Sequence, residues 1–116
     1  MPTGIFSVAF SNDTTGIIVG GDYTKDYLMF NNVFFSYDGG KGWVPSNTLT
    51  GGFRECVEFI DGETAIAVGP AGFDITFDSG REWSTFSIEK GFHVIRKARN
   101  GSLVIAAGNN RIGILK

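Results

Sequence analysis

Ser36-Tyr-Asp-Gly-Gly-Lys-Gly-Trp43 and Thr76-Phe-Asp-Ser-Gly-Arg-Glu-Trp83 carry the same eight-residue pattern, with the tryptophans 40 residues apart. Each reads Ser/Thr-x-Asp-x-Gly-x-x-Trp. The residue types suit a locked tight turn. Ser36 or Thr76 and Asp38 or Asp78 can hydrogen-bond nearby backbone. Gly40 and Gly80 permit positive φ, and Trp43 and Trp83 offer a large ring for burial between packed sheets. A second repeat runs alongside. Phe10-Ser-Asn-Asp-Thr-Thr-Gly-Ile-Ile-Val-Gly20, Phe59-Ile-Asp-Gly-Glu-Thr-Ala-Ile-Ala-Val-Gly69 and Ala98-Arg-Asn-Gly-Ser-Leu-Val-Ile-Ala-Ala-Gly108 share a strand end, a polar turn, an apolar run and a closing glycine.

A period near 40 built from short strand-like segments predicts the four-stranded blades of a β-propeller. The expectation is an all-β chain of about 2.7 four-stranded antiparallel blades, a partial propeller. Blade one spans 4–51, with strands near 5–10, 16–20, 33–37 and 43–49. Blade two spans 52–90, with strands near 54–59, 64–68, 73–77 and 83–88. An incomplete blade three spans 91–116, with strands near 92–98, 103–107 and 111–115. The second strand of each blade is apolar on both faces, as in Ala65-Ile-Ala-Val68, which fits a sheet stacked between two others. Fewer than three blades leave a flat face at one end and an unpaired edge at the other, which invites association. The sequence therefore predicts a homo-oligomer, or completion by a further segment of a longer parent chain.

Composition agrees and excludes several classes. The 116 residues are 42% hydrophobic and 19% charged, with a net charge of −2. This is the composition of one globular domain, with no charge bias toward nucleic acid. Seventeen glycines and eleven phenylalanines favour strands and turns. One cysteine rules out a disulfide framework or a multi-cysteine metal site. No apolar run approaches the roughly 18 residues of a membrane-inserted helix, and Met1-Pro-Thr-Gly-Ile-Phe lacks the pattern of a signal peptide. Gly39-Gly-Lys-Gly42 has the wrong spacing for a phosphate loop, and no cofactor or metal pattern is present.

The octet is the Asp-box, or bacterial neuraminidase repeat. Phe53-Arg-Glu-Cys-Val-Glu-Phe-Ile, Ile66-Ala-Val-Gly-Pro-Ala-Gly-Phe-Asp-Ile and Gly91-Phe-His-Val-Ile-Arg-Lys-Ala resemble the photosystem II stability/assembly factor-like propellers, over nearly the whole chain. The resemblance covers only the C-terminal blades of a family propeller of about seven. Gly42 and Ser79 depart from the usual box, which has Thr and Gly there. The resemblance implies a non-catalytic protein-binding or assembly role. It also implies an extracytoplasmic setting, periplasmic or secreted.

Propeller topology gathers 21–32, 50–54, 69–73, 90–93 and 109–111 on one face. The long 21–32 segment brings Tyr23, Tyr27, Met29 and Phe30, which are interface-prone types. They either meet a protein partner or cover their own blade. Arg54 and His93 read as equivalent starts of successive inner strands. With Arg96, Lys97 and Arg111 they form either a basic rim for an acidic group or charges satisfied inside the protein. Cys56 aligns with Ser7 and Ile95 as a packed residue. Two alternatives stand beside the binding module. One is a fragment of an Asp-box glycoside hydrolase, sialidase- or xyloglucanase-like, which needs a pair of carboxylates, or an arginine cluster with Tyr and Glu. The candidates are Glu55, Glu58 and Arg54, and a spacing of three puts the two glutamates on opposite faces of a regular strand. The other is a purely structural piece of a longer propeller.

Overall fold

The computed structural model describes residues 3–22, 24, 32–48 and 50–115, and among these there is no helix. Three antiparallel sheets follow one another along the chain. The first runs β1 (Thr3–Phe10), β2 (Gly16–Asp22), β3 (Val33–Ser36), β4 (Val44–Pro45). The second runs β5 (Cys56–Phe59), β6 (Ala65–Gly69), β7 (Gly72–Thr76), β8 (Ser84–Ser87). The third runs β9 (Phe92–Lys97), β10 (Val104–Gly108), β11 (Arg111–Leu115). Each is a meander with strands in chain order, and the whole is a partial β-propeller.

Sheet two is the middle of the stack and buries both faces. Val57, Ala65, Ala67 and Trp83 pack with Ile17, Val19 and Val33 of sheet one. Cys56, Ile66, Val68 and Phe73 pack with Phe92, Ile95, Val104 and Ala106 of sheet three. Alternate residues of β6 thus serve opposite seams, because successive side chains leave a strand on opposite faces. This is why Ala65–Gly69 is buried throughout.

The closing glycine of each repeat has a specific cause. A Cβ on Gly20, Gly69 or Gly108 would lie 1.9, 2.3 or 1.9 Å from the carbonyl oxygen of Gly4, Phe53 or Gly91. The inner strand presses its backbone against the end of β2, β6 or β10, and a side chain there would clash.

The same contacts set the register. In β1, Ile5 faces Gly20 and Ser7 faces Val19, so Phe6 is an extra residue. In β9, Phe92 faces Gly108 and Val94 faces Ala107, so His93 is extra. These are β-bulges. Glu55 holds the same place just before β5 begins at Cys56. The register therefore makes Ile5, Arg54 and Phe92 equivalent, and Ser7, Cys56 and Val94. Arg54 is not the counterpart of His93, nor Cys56 of Ile95, because the first hairpin turn of sheet three is one residue longer: Ala98 N–H bonds Leu103 O, where Ser11 bonds Thr15 O and Ile60 bonds Thr64 O.

The outer strand of sheet one is shorter than expected. β4 covers two residues instead of 43–49, since the chain turns to bond sheet two. The Ser46 hydroxyl donates to the Gly80 carbonyl, Asn47 N–H to Arg81 O at 2.7 Å, and Trp83 N–H to Thr48 Oγ1 at 2.6 Å.

Candidate partner-binding site

The two octets form matching turns. Ser36 Oγ donates to Asp38 Oδ1 at 2.8 Å, and Thr76 Oγ1 to Asp78 Oδ1 at 2.8 Å. Gly40 N–H donates to Ser36 Oγ at 2.9 Å, and Gly80 N–H to Thr76 Oγ1 at 3.0 Å. Gly42 N–H donates to Asp38 Oδ1, and Glu82 N–H to Asp78 Oδ1, both at 2.9 Å. The Gly42 amide and, next, the Ser36 hydroxyl hold the Asp38 carboxyl below its ordinary pKa, because they stabilise the ionised form. Both aspartates are occupied in holding backbone. Each turn is also tied to the first hairpin of its own sheet, Gly39 N–H to Thr14 O at 3.0 Å and Ser79 N–H to Glu63 O at 2.9 Å.

The two tryptophans meet different surroundings. Trp83 is 6% exposed in the seam between sheets one and two, and its indole N–H donates to Gly80 O at 3.2 Å. Beside it the Arg81 guanidinium lies over the Phe35 ring at 4.8 Å. Trp43 is half-buried and meets the Phe10 ring edge-on at 6.0 Å. It stands on the face of sheet one that no other sheet covers.

Arg54, His93, Arg96 and Arg111 are each engaged with a partner inside the molecule. Arg54 is 3% exposed, and its Nη2 pairs with Asp74 Oδ2 at 2.8 Å. The carboxylate also accepts Gly51 N–H at 2.8 Å, and Arg54 Nη1 donates to Phe53 O at 3.0 Å. This is a closed internal network, so burial takes Arg54 off any exposed binding face. His93 Nδ1 pairs with Glu55 across the inner strands. Arg96 Nη1 donates to Ile95 O and Cys56 Sγ. Arg111 pairs with Glu89 at 3.0 Å and stacks over Phe92 at 4.5 Å. Tyr23, Tyr27, Met29 and Phe30 lie outside the described residues.

The two inner-strand carboxylates also differ from expectation. Glu58 Oε2 accepts Lys97 N–H at 3.0 Å, so both Glu55 and Glu58 reach sheet three. The bulge position of Glu55 breaks the alternation that would have separated them. Among the described residues no group of three His, Cys, Asp or Glu side chains could hold a metal ion. Cys56 is buried, with its thiol directed at Ile95 O at 3.5 Å.

The surfaces best placed for a partner are apolar. Sheet one ends the stack with Ile5 (68% exposed), Val8 and Phe10 uncovered, and sheet three with Val94, Ile112 (79%) and Ile114 uncovered. A groove of about 590 Å³ also opens at the outer end of the seam between sheets two and three, lined by Ile60, Ile66, Ile75, Leu103, Val104 and Leu115, among others. The repeat alone located Trp83 but not this groove, which forms where the two sheets diverge outward. Asp74 had a sequence signal: it is polar where the first repeat has Phe34 and the third has Gly113.

No family model matches the chain. Over 88 residues it is 30% identical to a vacuolar protein sorting/targeting protein 10 of Leptosphaeria maculans, a match covering 73% of this chain and 6% of that protein. Among solved structures it is similar to YCF48 bound to D1 peptide, with a TM-score of 0.70 and 20% identity. That match covers 97% of this chain and 40% of the other. The chain thus spans less than half the length of the solved structure and a small part of the sorting protein, and the structural likeness is one of fold, the β-propeller.

Proposed function

We propose that the chain is a non-catalytic, protein-binding propeller module whose sheet faces join it to other polypeptide, in the first place to a second copy of itself. The observation that carries this reading is the pair of uncovered apolar faces at the two ends of the stack. They are complementary in kind. Sheet one offers Val8, Phe10 and Trp43, the counterparts of Val57, Phe59 and Trp83, which sheet two presents to its predecessor. Sheet three offers Ile105, Ile112 and Ile114, the counterparts of Ile66, Phe73 and Ile75, which sheet two presents to its successor. Head-to-tail stacking of two copies repeats a seam the molecule already makes and gives six sheets, within the propeller range of about four to eight. A ring built this way presents its loop face, with 50–54, to a further protein partner. The peptide in the YCF48 structure and the resemblance to assembly-factor propellers support the same role. The carboxylates a glycosidase needs are here engaged with His93 and Lys97.

Light scattering on a sizing column tests the reading. The expected mass is twice 12.5 kDa. Val8→Lys alone and Ile112→Lys alone are expected to run as monomers, and mixing them restores a dimer through the one intact pair of faces. A wild-type monomer at all concentrations overturns it.

A further inference from the structure

We propose that Asn100 is a self-modifying site. Its side chain deamidates through the Gly101 backbone nitrogen, which turns the tip of the first hairpin of sheet three into an acidic aspartate or isoaspartate. Asn100 is the one asparagine of the chain that precedes a glycine. The structure adds what the pair alone does not supply, through a comparison of the three equivalent hairpins.

In the first hairpin, Asn12 Oδ1 accepts Thr14 N–H and Thr15 N–H, both at 2.8 Å. In the second, Asp61 Oδ1 accepts Glu63 N–H at 2.9 Å and Thr64 N–H at 2.7 Å. Both side chains are thereby held on amides two and three residues further on. The third hairpin is one residue longer, with Ala98 N–H bonding Leu103 O where Ile60 bonds Thr64 O. There the exposed Asn100 side chain bonds to no group among the described residues, and neither does the Gly101 N–H. Gly101 has φ 93°, and a Cβ on it would meet nothing within 4 Å. The side chain is free to rotate onto a nitrogen that no bond restrains.

The turn also supplies charge. The Lys97 ammonium donates to Gly101 O at 2.8 Å and to Ala98 O at 3.3 Å. The attacking form of the Gly101 nitrogen is its anion, which a cation held in the same turn stabilises. The nitrogen loses its proton to solvent base and bonds Asn100 Cγ. The Cγ–Nδ2 bond breaks, and ammonia leaves with a proton taken from water. Water then opens the cyclic imide at either carbonyl. Opening at one gives aspartate; opening at the other gives isoaspartate, with the main chain routed through Cγ. The net change consumes a water, releases an ammonia and adds a negative charge, with no oxidation or reduction.

The test incubates the whole protein at mildly alkaline pH and cuts it with chymotrypsin. The fragment 93–103 carries Asn100 as its sole asparagine. Mass spectrometry follows its conversion, and methyl transfer by an isoaspartate methyltransferase reads the isoaspartate share. The synthetic peptide 93–103 is the reference. Asn100 in the folded protein is expected to convert within about tenfold of the peptide's rate, and at least about tenfold faster than Asn12. Lys97→Met should slow it about twofold to fivefold, the worth of an exposed charge contact, and Lys97→Arg should restore it. Asn12 reports unfolding, and its rate should be the same in the variants as in the native chain. Slower conversion than this against the peptide, parity of Asn100 with Asn12, or a native rate in folded Lys97→Met overturns the proposal.

Discussion

The two seams of the stack share sheet two yet are closed differently. The seam with sheet one is sealed at its outer end by Trp83, by Arg81 over Phe35, and by bonds from Ser46, Asn47 and Thr48. The seam with sheet three is held near the inner strands. There Phe92 meets Phe73 at 5.5 Å, Glu55 pairs with His93, and Glu58 accepts the Lys97 amide. Its outer end is open. Closing a seam therefore takes more than two apolar faces. The inner strands bring the sheets together, but they fan apart outward, and the tryptophan turn of the later sheet fills the wedge.

The largest effect is expected in the sheet the two seams share. Asp74→Ala leaves Arg54 charged and buried without its partner, and should cost about 3–5 kcal/mol in denaturant unfolding. The other two sheets hold Ile5–Phe34 and Phe92–Gly113 at these positions. Installing the first pair with Arg54→Ile and Asp74→Phe should recover at least half of the loss. No recovery would show that the three positions are not interchangeable parts of one design.

Next comes the seal itself. Trp83→Ala should cost about 3 kcal/mol, whereas Leu103→Ala in the open wedge should change stability by under about 0.5 kcal/mol. Equal costs would erase the contrast between the seams. A narrower version compares the two turn glycines. Gly80 has φ 94° and a Cβ there would sit 2.8 Å from Ile17 Cγ1, while Gly40 has φ 88° and its nearest neighbours are 3.4 Å away. Gly40→Ala pays only for backbone strain, about 1–2 kcal/mol. Gly80→Ala adds overpacking of about 1 kcal/mol or more. Matching thermal shifts for the two variants would mean that the seam yields to a methyl group.

The smallest effect concerns the turn on the uncovered face. Asp38 has a depressed pKa in the fold, so its contribution is present above its unfolded value and is lost as pH falls through the folded one. Unfolding midpoints of the native chain should therefore decline below about pH 4. Asp38→Asn should flatten that decline, with little change in slope above pH 5. Parallel profiles for the two proteins would sever the link between this turn and acid stability.

Much of this was legible in the residues. The two octets, the apolar second strands and the closing glycines located eleven strands, because each reports a local constraint of turn, burial or close approach. The site was less legible. The first turn of sheet three holds one residue more than its counterparts, so aligning the repeats at their closing glycines offsets its inner strand by one and matches Arg54 with His93 instead of Phe92. Of the two readings of Arg54, rim cation or internally satisfied charge, the buried pair with Asp74 supports the second. Asp74 stood out only once the register was correct. The groove escaped because it reflects how two sheets diverge outward, which composition cannot display.

The bonds from 46–48 to the turn of sheet two have a mechanical consequence. They connect the outer rim of one sheet to the next at several points, so sheets one and two must separate by shear, with the bonds failing together. Sheet three is tied to sheet two near the inner strands, through Glu55 to His93 and Glu58 to Lys97. Tension applied to β11 loads its hydrogen bonds one at a time, as in opening a zipper. Force applied across the stack would therefore part the third sheet first and keep the first two sheets together as a single resistant body.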